Sequence, residues 1–232
     1  MSGPMIPLPR AEPGAASVPQ RPSVEAAREF AERLSLRRSV RHFSPEPVDR
    51  EVIRWVVTAA AGAPSGANKQ PWTFVAVDDP ALKRRIREGA EAEERRFYEG
   101  RANAEWLADL DPLGTGPEKP FLEEAPWLIV VFKRMKDRRP ERASDQVYYV
   151  NESVGIATGF LIAAIHAAGL VTLTHTPSPM AFLGPILGRP EFERPFLLLP
   201  VGRPAEGCMV PRLERRPLQE VLVWNAAPGA RA

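Results

Sequence analysis

The sequence predicts an α+β domain in which one sheet lies between layers of helices. Three observations carry that prediction. Segments with apolar residues at helical spacing alternate with short, almost wholly apolar runs of strand length, so helices and strands interleave along the chain. Turn residues stand between them. At 232 residues and 44% hydrophobic content, the chain is long enough to bury a core of one or two domains.

Each element has its own justification. Ser23 is placed to cap a first helix whose apolar residues Val24, Ala27, Phe30, Ala31 and Leu34 share one face. Asp49 caps a second helix carrying Val52, Ile53, Val56, Val57 and Ala60, and Gly62 ends it. After a Pro64-Ser65-Gly66 loop, Trp72 to Val77 reads as a strand, and a strongly charged helix follows from about Pro80 to Gly100. Residues 101–125 mix turn signals with isolated apolar anchors such as Trp106 and Leu107, the pattern of a mobile lid. Trp127 to Phe132 is apolar enough to be buried on both faces. Gln146 to Ala168 reads as a long helix, Leu170 to Leu173 and Phe196 to Val201 as strands, and Arg212 to Trp224 as a segment reaching beyond the compact core.

Composition narrows the function. The surplus of 31 basic over 29 acidic residues is small, which disfavours a nucleic-acid partner. A single cysteine, Cys208, excludes an intrachain disulfide framework and a cysteine-built zinc site. The scattered His42, His166 and His175 suggest no metal site. Residues 1–22 are rich in Pro and Ala with few large apolar groups and no signal-peptide pattern, so a disordered tail and a cytoplasmic protein are expected, with the domain over 23–226 and a flexible end over 227–232. Val154 to Val171 is apolar, but its glycines and His166 suit a buried or interface helix better than a membrane span.

The segment Arg37-Arg38-Ser39-Val40-Arg41 sets three guanidinium groups and a hydroxyl within five residues, a donor set that can meet phosphate through planar forks, although clustered arginines more often make a solvated basic turn. Glu94 and Tyr98, four residues apart, share one face of the charged helix; Lys119 lies in the lid. From spacing alone, these three are also compatible with an ordinary surface. No nicotinamide or nucleotide-phosphate glycine motif is present.

From Arg37 to about Val223 the chain resembles the FMN-dependent nitroreductase superfamily, and within it the iodotyrosine deiodinase branch. The resemblance rests on the Arg37–Arg41 segment, on Pro64-Ser65-Gly66-Ala67 and on the Glu94, Tyr98 and Lys119 trio. It implies a three-layer sandwich with a mixed, mainly antiparallel sheet and an intertwined homodimer with FMN at its interface. It further implies that Arg37, Arg38, Ser39, Val40, Arg41, Pro64, Ser65, Gly66, Thr174, His175, Thr176 and Arg215 hold the flavin, with Arg212 and Arg216 as alternatives to Arg215. Thr176 is implied to direct its hydroxyl at flavin N5, favouring single-electron steps and thereby acting in catalysis. Glu94, Tyr98 and Lys119 are implied to grip an amino-acid zwitterion, and the backbone N–H of Ala67 to meet a phenolate oxygen. His175 departs from the small hydroxyl residue the family carries there, and His42 stands where the family usually carries an apolar aromatic residue, so it is expected to pack. The implied activity is reductive dehalogenation of halotyrosines, with electrons from NAD(P)H or a reductase protein; a general FMN nitroreductase or quinone reductase is the alternative.

Overall fold

The computed structural model describes residues 22–141 and 144–225. Apart from Pro22, the proposed N-terminal tail lies outside these residues, as does the C-terminal stretch 227–232. The chain divides into two compact units between Arg37 and Arg38. The described part of the first is helix α1 (Val24–Ser35), capped as expected by the Ser23 hydroxyl, which accepts from the Ala26 N–H.

In the second unit, Asp49 accepts from the Glu51 N–H to start α2 (Arg50–Ala61), and Gly62 closes it. Strand β1 (Trp72–Val77) leads into α3 (Pro80–Arg96), which Pro80 and the Asp79 cap begin and which ends in a π-helical turn over Phe97–Arg101. The stretch read as a mobile lid contains helices: α4 (Ala104–Leu110), capped by Asn103, runs into a 3-10 turn (Asp111–Leu113), and α5 (Phe121–Glu124) follows. The Asn103 cap and the Asp111-Pro112 turn start helices as readily as loops, so turn signals alone did not reveal these helices. After β2 (Trp127–Arg134), the long helix α6 begins at Val150 rather than Gln146 and ends at Ala167. Tyr149 adopts a left-handed φ of 47° just before it, which fixes the later start. Strand β3 (Val171–Thr172), the short α7 (Leu183–Ile186), β4 (Glu193–Gly202) and α8 (Leu218–Val221) complete the elements.

Among the described residues, four strands run in the order β1-β2-β4-β3, every neighbouring pair antiparallel, and a parallel bridge joins Ser39 to Thr172. Side chains alternate across this sheet. Ile129, Val131, Leu199 and Val201 pack with Ile53, Val56 and Ala60 of α2 and Val154, Ala157, Leu161 and Ile165 of α6. Leu128, Val130, Phe132 and Leu198 face the other way, onto Ile86 and Ala90 of α3 and Phe121 and Leu122 of α5. Two apolar layers on either side of a central strand explain why residues 127–132 of β2 are all buried, as the sequence predicts. The packing leaves Ile156 and Phe160 of α6 and Trp55 of α2 exposed.

Gly202, at the end of β4, tests this packing. A Cβ built there would lie 2.6 Å from Pro126 Cδ and 3.3 Å from Phe43 Cδ1. Gly202→Ala is therefore expected to destabilise by about 1–3 kcal/mol through overpacking. Thermal unfolding should show a lowered Tm, and an unchanged Tm would contradict this close approach.

Candidate functional site

A cavity of about 600 Å³ opens between the end of α3, the segment 106–121 and the strand-like stretch after β3. It is lined by Arg41, His42, Glu94, Tyr98, Lys119, Thr174, His175 and Thr176 together with Phe97, Trp106, Leu113 and Met180. Residues remote in sequence meet here because the segment 39–43 is stitched beside the strands. The Val40 N–H donates to Thr172 O at 3.2 Å, and the Ser44 N–H to Arg203 O at 3.0 Å. The Arg38 guanidinium donates to the Pro211 carbonyl, tying the arginine segment to the chain before Arg215.

Local backbone geometry sorts these residues. His175 exchanges both backbone hydrogen bonds with Leu198, at 2.8 and 3.0 Å, so this stretch is extended. Side chains alternate accordingly: Thr174 and Thr176 stand exposed, while the His175 ring turns inward, edge-on to Phe121 at 5.6 Å. The same alternation corrects the expectation for His42, which is exposed at the cavity while its neighbour Phe43 takes the core position. Burial, with the nearby charges of Lys119 and Arg41, pushes the His175 imidazole down to about 3, and its Nε2 has no hydrogen-bond partner.

The charged trio comes together. Lys119 Nζ and a Glu94 carboxylate oxygen are 3.1 Å apart, with side chains only 5% and 14% exposed. Lys119 also donates to the Gly116 carbonyl and lies 5.8 Å from the centre of the Tyr98 ring. The Tyr98 hydroxyl is 2.6 Å from Thr115 Oγ1. Beneath them, Glu91 accepts the Lys119 backbone N–H at 2.7 Å and the Arg87 Nε–H at 2.7 Å. Burial raises the Glu91 carboxyl, but these hydrogen bonds outweigh it and hold the group below its usual range. Glu91 and Thr115 were not singled out from the sequence; Arg87 and Arg95, one helical turn either side of Glu91, were the available signal.

Other residues assigned by resemblance lie away from this cavity: Arg38, Ser39, Val40, Pro64, Ser65, Gly66, Ala67 and Arg215 do not line it, and Arg37 belongs to the first unit. Val40 is buried in the core. The Pro64–Ala67 loop forms a tight 3-10 turn over Gly66–Asn68, in which the Ser65 hydroxyl accepts the Gln70 N–H at 2.9 Å. Gly66 is closely packed there, since a Cβ would meet Tyr148 O and Tyr149 Cδ2 at 3.0 Å.

Residues 34–203 match the model of the nitroreductase family. The chain belongs to the nitroreductase family. Its relatives place it in the iodotyrosine deiodinase branch: it is 58% identical to the iodotyrosine deiodinase of Haliscomenobacter hydrossis over 84% of this chain and 88% of that one. It is 44% identical to human iodotyrosine deiodinase 1, over 88% and 71% of the respective chains. In three dimensions it superposes with a TM-score of 0.73 on an oxidized iodotyrosine deiodinase crystallised with FMN and 3-iodo-L-tyrosine, at 32% identity, covering 85% of this chain and 99% of that one. The sandwich and its antiparallel sheet are thus the nitroreductase fold.

His175 gives the site a pH signature. An unfolded chain takes up a proton near the ordinary value of about 6.5, whereas the folded imidazole resists it down to about 3. Between these values stability must fall as pH falls. His175→Phe keeps the ring contact and removes the unpartnered nitrogen, so it should raise Tm at pH 5 by more than at pH 8. An equal difference at both pH values would contradict the assignment.

Proposed function

We propose that this protein is an FMN-dependent reductive dehalogenase of halogenated tyrosines, working as a homodimer. The observation that carries the reading is the nearly buried Glu94–Lys119 pair beside Tyr98 at the cavity. One carboxylate and one ammonium held together match the two charges of an α-amino acid in reverse. Lys119 can pair with the ligand carboxylate, Glu94 with its ammonium, and Tyr98 can cover the ring.

The residues fit a flavin. The exposed hydroxyls of Thr174 and Thr176 stand at the cavity beside Arg41, and Ser39 is bridged to Thr172, two residues before Thr174. Arg38, Arg41 and Arg215 would supply charge to the phosphate and the polar ring edge, and Thr176 a hydrogen bond at N5. His175 turns its ring to the core, so its contribution is to hold both threonines on the open side. When bound, FMN supplies the two electrons that, with one proton, replace a carbon–halogen bond by carbon–hydrogen and release halide.

This chain's own residues do the rest. Lys119 and Glu94 orient the amino acid, and Phe97, Trp106 and Leu113 exclude water above it. The Ala67 N–H would favour the ionised phenol, which halogenation makes more accessible. That amide and the Pro64–Gly66 loop complete the site only when supplied by the partner subunit of a dimer. The exposed apolar residues Trp55, Ile156 and Phe160, with Leu218, Val221, Val223 and Trp224 of the C-terminal segment, support such an assembly. We place the protein in the cytoplasm, with α6 as an interface helix, and take NAD(P)H or a reductase protein as electron donor.

Titration of the flavin-loaded protein with 3-iodo-L-tyrosine should quench flavin fluorescence. Lys119→Ala and Glu94→Gln should each weaken binding about tenfold or more, the worth of a charge-assisted hydrogen bond, at unchanged flavin content. Wild-type affinity in both variants would remove the basis of the reading. Arg38→Ala or Arg41→Ala should instead lower flavin occupancy, measured by absorbance after gel filtration; full occupancy in both would contradict the phosphate assignment.

A further inference from the structure

The loop that carries Ala67 is held in an unfavourable backbone conformation by a buried charge cluster that the reaction itself does not use. Ala67, Asn68 and Gln70 adopt φ values of 49°, 51° and 49°, in the left-handed region that residues with a Cβ avoid. Three such residues within four positions persist only where their surroundings over-determine them. Part of that restraint is local, from Ser65 Oγ to the Gln70 N–H. The rest comes from the chain after β2.

Asp137 lies there with its side chain 2% exposed. Arg139 grips it through two nitrogens, Nε at 2.9 Å and Nη2 at 2.8 Å, and Lys69 Nζ approaches it at 3.2 Å. Arg139 Nη2 also donates to the Lys69 carbonyl at 3.0 Å, and Lys69 Nζ to Ser144 O at 3.1 Å. Lys69 is therefore fixed at both its backbone and its side chain. It sits between the strained Asn68 and Gln70, so fixing it fixes the loop. The Asp137 N–H donates to Asp145 O at 2.7 Å, anchoring the cluster in turn. The Arg139 hydrogen bonds hold the Asp137 carboxyl far below the usual carboxylate range, so the cluster stays charged.

We infer that Asp137, through Lys69 and Arg139, is the positioning residue that aims the Ala67 backbone N–H at the phenolate oxygen of a halogenated tyrosine. The inference rests on the proposed role of Ala67. Its specific content is that phenol recognition and zwitterion recognition depend on separate parts of the protein: the former on the Asp137 cluster, the latter on Glu94 and Lys119. Loss of the cluster lets the loop relax toward ordinary φ values and turns the amide away, leaving the zwitterion contacts in place.

The test compares two ligands on the flavin-loaded protein, 3-iodo-L-tyrosine and 3-iodo-L-phenylalanine, which lacks the phenol oxygen. Asp137→Asn should raise Kd for the first about tenfold, the worth of a hydrogen bond to a charged group, and leave Kd for the second unchanged. Amide hydrogen exchange at residues 65–70 should accelerate in the same variant. Lys69→Met, which keeps the stem and removes the charge, should shift both readouts in the same direction and serves if Asp137→Asn does not fold. Equal losses for the two ligands, or unchanged affinities with unchanged exchange, would overturn the inference while leaving the proposed function standing. A wild-type protein that binds both ligands equally would overturn the Ala67 assignment and this inference with it.

Discussion

Two opposite charges held in a nearly closed space must stay paired, and that constraint organises the region around Glu94 and Lys119. Removing either partner would strand the other away from water, a penalty larger than the net value of the pair itself. The ligand-free protein meets the constraint by pairing the two with each other at 3.1 Å. An amino-acid zwitterion meets it equally well, by offering each group a new partner. A ligand with only one charge cannot, and a neutral aromatic cannot displace the pair at all. With Glu94 and Lys119 in the proposed recognition role, selectivity for amino acids would follow from electrostatics before any contact with the aromatic ring is counted.

The rest of the second unit holds that pair in register with the strand-like threonines. Glu91 fixes the Lys119 backbone to α3, one helical turn before Glu94, so the two charged residues descend from one element and its anchor. Lys83 adds a second tie from α3, donating to the Glu123 and Ala125 carbonyls at 2.9 and 2.8 Å. Across the cavity, Thr174 and Thr176 are presented by backbone pairing to Leu198, whose own side chain is wholly buried beneath α3 and α5. The sheet therefore serves as a common reference: one face carries the helices of the charged pair, and its edge carries the hydroxyls.

Much of this was legible in the sequence. Strand β2 could be read because a six-residue apolar run has only one comfortable environment, between two layers. Helices α1 and α2 announced themselves through Ser23 and Asp49 at their starts. The Glu94 and Tyr98 spacing showed a shared face, but only the fold could bring Lys119, on another element, against it. The helical turns of lid residues 104–113 went unread because Asn and Asp-Pro serve loops and helix starts alike. The π-helical turn at Phe97 and the left-handed Tyr149, Ala67, Asn68 and Gln70 left no trace in periodicity, since none is glycine. The Asp137 cluster joins residues 68 positions apart through ion pairs and hydrogen bonds, which no local pattern encodes. His42 is exposed rather than packed because a one-residue step in an extended segment reverses the face presented, and Phe43 takes the core side.

The cavity is proposed to recognise a zwitterion through a charged pair that must be fully satisfied. The most direct measurement is the affinity of the flavin-loaded protein for three ligands with the same iodophenol: 3-iodo-L-tyrosine, 3-iodotyramine, which lacks the carboxylate, and 3-(4-hydroxy-3-iodophenyl)propionic acid, which lacks the ammonium. Each truncated ligand would leave one of Lys119 and Glu94 without a partner, so both should bind at least about tenfold more weakly than the amino acid. If either truncated ligand binds as tightly as 3-iodo-L-tyrosine, the Glu94–Lys119 pair is not the recognition element.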